Sequence, residues 1–386
     1  MKKFISVMLV AAMAVTALTG CGSNSGSSSK KDADKYYIGG IGPTTGATAI
    51  YGTAVKNGAQ IAVDEINAAG GINGKQIEYR FEDDQNDAEK AVNAYNTLKD
   101  WGMQVLMGTV TSAPCVAVAD KTNADNMFQI TPSGSSVECA QNPNVFRVCF
   151  SDPDQGAASA TYIAENKLVE KIAVIYDSSD VYSSGIYEKF AAEAANQGLE
   201  IVDAEAFTAD SNKDFSTQLQ KAKDAGADLV FLPIYYTEAS LILKQADTMG
   251  YAPKFFGCDG MDGILTIEGF DTSLAEGLML LTPFAADAQD EKTQAFVSAY
   301  KEAYGDTPNQ FAADAYDVVY AIYQAAVAGG INGDMDASDV CDALKAQFTS
   351  MTFDGLTGDG MTWDASGAVS KAPKAVVIKD GAYAAM

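Results

Sequence analysis

From residue 36 onward the chain alternates short runs of β-branched and aromatic residues with stretches whose apolar positions recur every three or four residues. That rhythm predicts an α/β protein with parallel sheets. Tyr37 and Ile38 open a strand that runs into a glycine-rich turn at 39–46. Val55, Ala59, Ala62 and Ile66 follow at helical spacing, and Gly70-Gly71 stops that helix. Residues 76–81 read as the next strand. Ala88, Val92, Tyr95 and Leu98 stripe another helix, and Val105-Leu106-Met107 forms the strand after it. The pattern then restarts. A strand over 172–176 precedes a helix marked by Ile186, Phe190 and Ala194. Ile201-Val202 precedes a helix carrying Phe215, Leu219 and Ala222, and strands follow at 229–234 and from Phe255-Phe256. Two consecutive blocks predict two similar lobes, each a sheet wrapped by helices. Beyond Thr282 the spacing predicts helices around 290–304, 311–328 and 337–348, and a late strand near 376–378.

The first thirty-five residues follow other rules. Lys2 and Lys3 precede an apolar run over 4–18, the layout of a secretory signal and shorter than the roughly 20 residues of a membrane-spanning helix. The run ends in Leu18-Thr19-Gly20-Cys21, which looks like a bacterial lipobox. Residues 1–20 are therefore expected to be a signal peptide, with lipid attached at Cys21. Residues 21–35 are rich in Gly and Ser, then charged, and read as a flexible tether. No later segment reaches eighteen uninterrupted apolar residues, so the rest is expected to be a soluble body held outside the cytoplasm on a membrane anchor.

Composition narrows the chemistry. A length of 386 residues suggests about two domains at roughly 150 residues each. The 26 basic and 51 acidic residues give a net charge of −25, which should repel nucleic acid and anionic membrane surfaces. Arg80 and Arg147 are the only arginines, a poor supply for a guanidinium cluster. There is no histidine, which excludes Ser-His and Cys-His nucleophile pairs, HExxH zinc sites and histidine bases. Of the 6 cysteines, lipidation of Cys21 leaves an odd number, so at least one is free. Cys139 and Cys149 are the closest pair, and both a disulfide and two buried thiols fit them. No CxxC suggests zinc. Gly40-Ile41-Gly42 with Gly46 has the wrong spacing for a dinucleotide loop and is interrupted by Pro43. No cofactor or metal is expected.

In doubly wound sheets ligands bind beyond the carboxyl ends of the strands. There the chain offers hydroxyls and amides. Residues 108–114 carry Ser112 two residues before Pro114, which suits a helix first turn and puts Ser112 at or near the N-cap, a place that attracts a carboxylate. The turn at 131–136 adds Ser133 and Ser135 as companion donors. In the second block Tyr235-Tyr236 follows one strand, and Asp259, flanked by Gly257 and Gly260, follows another. Donors on one side with an acid and tyrosines on the other suit a zwitterion.

The block DEINAAGGINGK at 64–75, followed by Ile77-Glu78-Tyr79 and Asp83-Asp84, strongly resembles the extracytoplasmic solute-binding proteins of branched-chain amino-acid ABC transporters. Gly42-Pro43, Thr45-Gly46, Thr131-Pro132, Val145-Phe146-Arg147, Asp214-Phe215-Ser216 and Ala227-Asp228 extend the likeness from about residue 36 to the end. The resemblance implies two Rossmann-like lobes joined by three crossovers, closing on an amino acid like a hinge. It places 36–151 and 283–352 in the first lobe and 152–282 and 353–386 in the second. It assigns the ligand carboxylate to the Ser112 and Ser135 hydroxyls and the Ser133 backbone. Asp259, where the family usually has the longer Glu, would receive the ammonium, helped by Tyr235, with Tyr182 facing the ligand and Tyr51 as an aromatic wall. Thr111 and Asn86 stand where some relatives carry a disulfide. The implied protein is a monomeric, non-catalytic receptor that delivers an apolar amino acid to permease subunits. A ligand sensor of the same fold, a receptor for an amide or aromatic acid, and a secreted enzyme using paired carboxylates are the competing readings.

Overall fold

The computed structural model describes residues 34–386. The expected signal peptide, Cys21 and the tether up to residue 33 lie outside the described residues. The first sheet contains β1 (Lys35–Gly42), β2 (Gln76–Asp83), β3 (Val105–Gly108), β4 (Phe128–Thr131) and β5 (Val145–Arg147), all parallel, in the order β2-β1-β3-β4-β5. Helices α1 (Ala49–Ala68), α2 (Ala88–Trp101) and α3 (Ser112–Ala124) link the first four strands. Strand order reverses between β1 and β3, which opens a crevice at their carboxyl ends. The α1 stripe is as the spacing predicts, with Val55, Ala59, Ala62 and Ile66 all buried. Gly40 and Gly42 lie within β1, where a Cβ would fall 2.4 Å from Phe81 and 2.3 Å from Val110. They serve close packing.

The second sheet has the order β12-β11-β10-β9-β8-β6-β7. Strands β6 (Lys171–Asp177), β7 (Glu200–Phe207), β8 (Leu229–Leu232), β9 (Lys254–Gly257) and β10 (Met279–Thr282) are parallel. Helices α4 (Asp152–Glu165), α5 (Val181–Gln197), α6 (Ser216–Asp224) and α7 (Tyr236–Thr248) accompany them. The sheet is not wholly parallel: β11 (Lys374–Lys379) runs antiparallel to β10 and to β12 (Ala382–Ala385). The apolar run at 375–378 is what marked β11 in the sequence, and in the structure Val376 and Ile378 face inward. Its direction depends on the route by which the chain returns, which local pattern does not encode.

The chain crosses between the sheets three times. It leaves the first after β5 and returns after β10 to α8 (Glu291–Tyr304), α9 (Gln310–Ala328) and α10 (Ala337–Phe348). Helix α9 lies so close to α1 that a Cβ at Gly58 would be 2.0 Å from the Ala312 carbonyl. Phe348 of α10 packs on Phe128 and Phe146 of the first sheet. The third crossing comes later than the sequence placed it. Residues 353–371 stay on the first lobe: Leu356 and Thr357 donate to Asp317, Trp363 Nε1 donates to Arg147 O at 2.8 Å, and Lys371 forms a buried 2.8 Å ion pair with Asp314. Only from β11 onward does the tail join the second sheet.

Candidate functional site

On the first lobe, β3 runs out at Gly108 and α3 begins at Ser112, with Thr111 as an extended N-cap that makes no side-chain cap bond. The first N–H groups of α3 therefore remain open to a partner at the crevice. Ser112 is buried, and its Oγ accepts from Ser136 N–H at 3.2 Å. The turn after β4 is held by Thr131, whose Oγ1 accepts from Gly134 N–H at 2.6 Å and donates to Thr109 O at 2.6 Å. Ser133 Oγ donates to Val110 O at 2.6 Å, so its hydroxyl proton is used inside the protein. Ser135 Oγ is buried beside the Asp152 carboxylate, whose charged form it favours.

On the second lobe, Asp180 caps α5 by accepting from Tyr182 N–H at 3.1 Å, which sets the Tyr182 ring over the crevice. Tyr182 Oη donates to Asp259 Oδ1 at 2.8 Å and accepts from Gly260 N–H at 2.9 Å. Asp259 lies in a short turn after β9. Its N–H donates to Gln155 Oε1 at 3.1 Å, and its carbonyl accepts from Gln310 Nε2 at 2.9 Å. Burial pushes the Asp259 carboxyl up to about 7, against the help of Tyr182 and Gln155. Tyr235 stacks flat on Tyr182, with centroids 4.9 Å apart at 8°. Burial also raises Asp180, opposed by its bond to Tyr182 N–H and by the Tyr235 hydroxyl. Tyr182 thus serves Asp259, while Tyr235 leans on Asp180.

The lobes meet at Tyr51, which is 1% exposed. Its Oη donates to Gly260 O at 2.5 Å and accepts from Tyr236 N–H at 3.3 Å, while Tyr236 Oη accepts from Ile50 N–H at 3.3 Å. Phe311, at the start of α9, lies 4.3 Å from the Tyr51 ring. One cavity is lined by Tyr51, Ser112, Ser133, Tyr182, Tyr235 and Asp259 together with Val110, Thr111, Gly260 and Phe311. All the sequence-predicted ligand residues except Ser135 are on that wall. Val110 and Phe311 were missed as wall residues, because an apolar residue in a turn or at a helix start carries no chemical signal in the sequence. The space left is about 10 Å³, room for one water, so a larger guest requires the rings or lobes to move apart. Outward of Tyr235 the cleft widens to about 300 Å³ beside Asp177, Asp180 and Glu238.

Of the two readings open for Cys139 and Cys149, the structure has the thiols: both are buried and free. Cys139 Sγ points to Ser112 O at 3.6 Å, and its sulfur neighbour is Cys115.

Residues 35–382 match the family described as periplasmic binding protein. A leucine-, isoleucine-, valine-, threonine- and alanine-binding protein of Pseudomonas aeruginosa is 32% identical over 331 residues, covering 85% of each chain. The isoleucine complex of the branched-chain amino acid transporter substrate-binding protein LivJ from Streptococcus pneumoniae superposes with a TM-score of 0.82 at 30% identity, covering 91% of this chain and 98% of the other. The leucine-binding protein LivK of Thermotoga maritima gives a TM-score of 0.80 at 26% identity over 91% and 97%. With its two sheets, its three crossings and a cleft formed by strand ends, the chain belongs to the periplasmic binding protein family.

Proposed function

We propose that this protein is an extracytoplasmic receptor that binds a branched-chain or other apolar α-amino acid between its lobes and delivers it to an ABC importer, without catalysing a reaction. The observation that carries this reading is the pairing across one small cavity: an open helix start with serine donors on one lobe, and Asp259 held by Tyr182 on the other. The ligand carboxylate meets the Ser112 hydroxyl, the Ser133 backbone and the Ser135 hydroxyl. The ammonium meets Asp259. Tyr51, Val110, Tyr235 and Phe311 surround the apolar side chain. Closure excludes water that would screen both charges. The named binding partners of the relatives support the same ligand class. The lipobox-like Leu18-Thr19-Gly20-Cys21 supports anchoring through Cys21, and the receptor acts as a monomer.

A thermal-shift screen of the purified protein against the twenty amino acids and a set of organic acids, with calorimetry on each response, tests the reading. A ligand at 100 times its dissociation constant adds about 2.7 kcal/mol to stability. Stabilisation by a few apolar amino acids is expected. Stabilisation only by acids or amides lacking an ammonium group overturns it. Loss of amino-acid uptake on deletion of the gene separates an importer subunit from a sensor.

A further inference from the structure

Cys115, Cys139, Cys149, Cys258 and Cys341 are buried free thiols, and nothing above gives them a task. Two of them are partners. Cys115 lies one turn into α3, three residues beyond Ser112 and on the same face. Its Sγ accepts from Gln129 Nε2 at 3.5 Å, and a Cβ at Gly134 would fall 3.1 Å from it, so the sulfur rests on the turn after β4. Cys139 belongs to the short helical turn Val137–Ala140 that follows. Its N–H donates to Ser136 O at 3.0 Å, and its Sγ donates to Ser112 O at 3.6 Å. The two thiols also hydrogen-bond to each other. The pair is thus wedged between the start of α3 and the turn after β4, behind both donor loops of the first lobe. Cys149 reaches Cys139 only through its charge.

The hydrogen bond from Cys139 holds the Cys115 thiol below its ordinary value against its own burial, with help from Thr109 N–H, Thr131 and Gln129, while burial pushes the Cys139 thiol well up. A thiolate-prone sulfur beside a protonated one suits stepwise oxidation. We propose that Cys115 and Cys139 are a redox pair, which a small peroxide converts to a disulfide that weakens ligand binding. The Cys115 thiolate attacks one oxygen of hydrogen peroxide and breaks the O–O bond. This leaves a sulfenic acid and a hydroxide, which takes up the proton that Cys115 released. The Cys139 sulfur then displaces the sulfenic hydroxyl, which leaves with the Cys139 proton as water. Two thiols lose two electrons, and one peroxide becomes two waters. Burial admits an oxidant of that size and keeps out bulky disulfides. Closing the bond draws the sulfurs from hydrogen-bonding distance to a bond length, which drags the start of α3 toward 137–140 and shifts Ser112 and the neighbouring N–H groups away from the ligand carboxylate. The effect on binding rests on the amino-acid reading above; the disulfide does not.

The test treats wild type, Cys139→Ser and Cys149→Ser with hydrogen peroxide, alkylates the remaining thiols in denaturant and maps the tryptic peptides, with leucine calorimetry before oxidation, after it and after reduction by dithiothreitol. Trypsin cuts after Lys99, Lys121 and Arg147, so Cys115, Cys139 and Cys149 fall on three different peptides. Wild type and Cys149→Ser are expected to yield 100–121 joined to 122–147, and Cys139→Ser is not. Leucine affinity should fall at least about tenfold in the two linked proteins, the scale of a lost hydrogen bond to a charged group, and return on reduction. Cys115 and Cys139 still open to alkylation after peroxide overturn the redox pair. A disulfide with unchanged affinity overturns its effect on binding, and so does an equal loss of affinity in Cys139→Ser, which would place the damage elsewhere. A wild type that answers to no amino acid before oxidation removes the receptor reading and the effect on binding together, a result that the peptide map keeps apart from failure of the redox pair.

Discussion

The two walls of the cleft are made of opposite materials. On the first lobe, Thr131 and Ser133 place their hydroxyl protons on Thr109 O and Val110 O, and the start of α3 presents backbone N–H groups. That wall is neutral and is completed by its own turns. The second wall is acidic. Asp259 is buried and Asp180 half-buried, and loss of solvent raises both carboxyls. The proposed anion subsite would therefore be preorganised at little cost. The proposed cation subsite is where folding stability would be held in reserve for binding.

Removing the acid breaks the comparison most severely. Asp259→Ala should lower amino-acid affinity by about 3 kcal/mol, more than a hundredfold, the scale of losing one partner of a buried charge pair; calorimetry that found wild-type affinity would dismiss the ammonium assignment. Next comes pH. The folded-state value of Asp259 is raised above its unfolded value, so its contribution to the free protein is fully present below about pH 4 and is lost as pH rises through about 7. Carboxyls held low by local bonds, such as Asp83 by Thr45 and Thr44 against its own burial, act in the other direction at still lower pH. Asp84, raised to about 7, and Asp262 and Asp317, raised to about 6, act in the same direction as Asp259, all by burial. Free-protein stability measured by urea unfolding should therefore rise by at least about 2 kcal/mol from pH 8 to pH 5, and Asp259→Asn should remove its own part of that rise and leave the rest. On the neutral wall the effects are smaller. Ser112→Ala should weaken amino-acid binding by about 1–2 kcal/mol, the value of a hydrogen bond to a charged group. Ser133→Ala should change binding by less than about 0.5 kcal/mol while lowering stability by about 1 kcal/mol, since its hydroxyl serves Val110 O. A large binding loss there would mean that the hydroxyl turns to the ligand.

The same contrast explains what the sequence disclosed. Ser112, Ser133, Tyr235 and Asp259 were legible because each follows a strand, and strand ends converge in this fold. The helices at 291–304, 310–328 and 337–348 were legible from their periodicity. Phe311 was seen only as part of a helix, because its place at the cavity depends on how closely Gly58 lets α9 approach α1. β5, three residues long, offered too few residues for a pattern to show. The bond from the Tyr182 hydroxyl to Asp259 was not legible, because it depends on the Asp180 cap that sets the ring, a local bond with distant effect. Cys139 and Cys149 are near in sequence but remain separate thiols in the fold.

The bonds that Tyr51 makes to Gly260 and Tyr236 consist wholly of protein atoms. Whatever they add to the closed form is added equally for every cargo, so they cannot discriminate among amino acids. They act instead on time. Each must break before the lobes part, and the dwell time of any guest carries the same factor. The ring of Tyr51 thus bears on the choice of cargo and its hydroxyl on the speed of release, and Tyr51→Phe, which keeps the ring, should shorten residence for all amino acids alike while leaving their rank order intact.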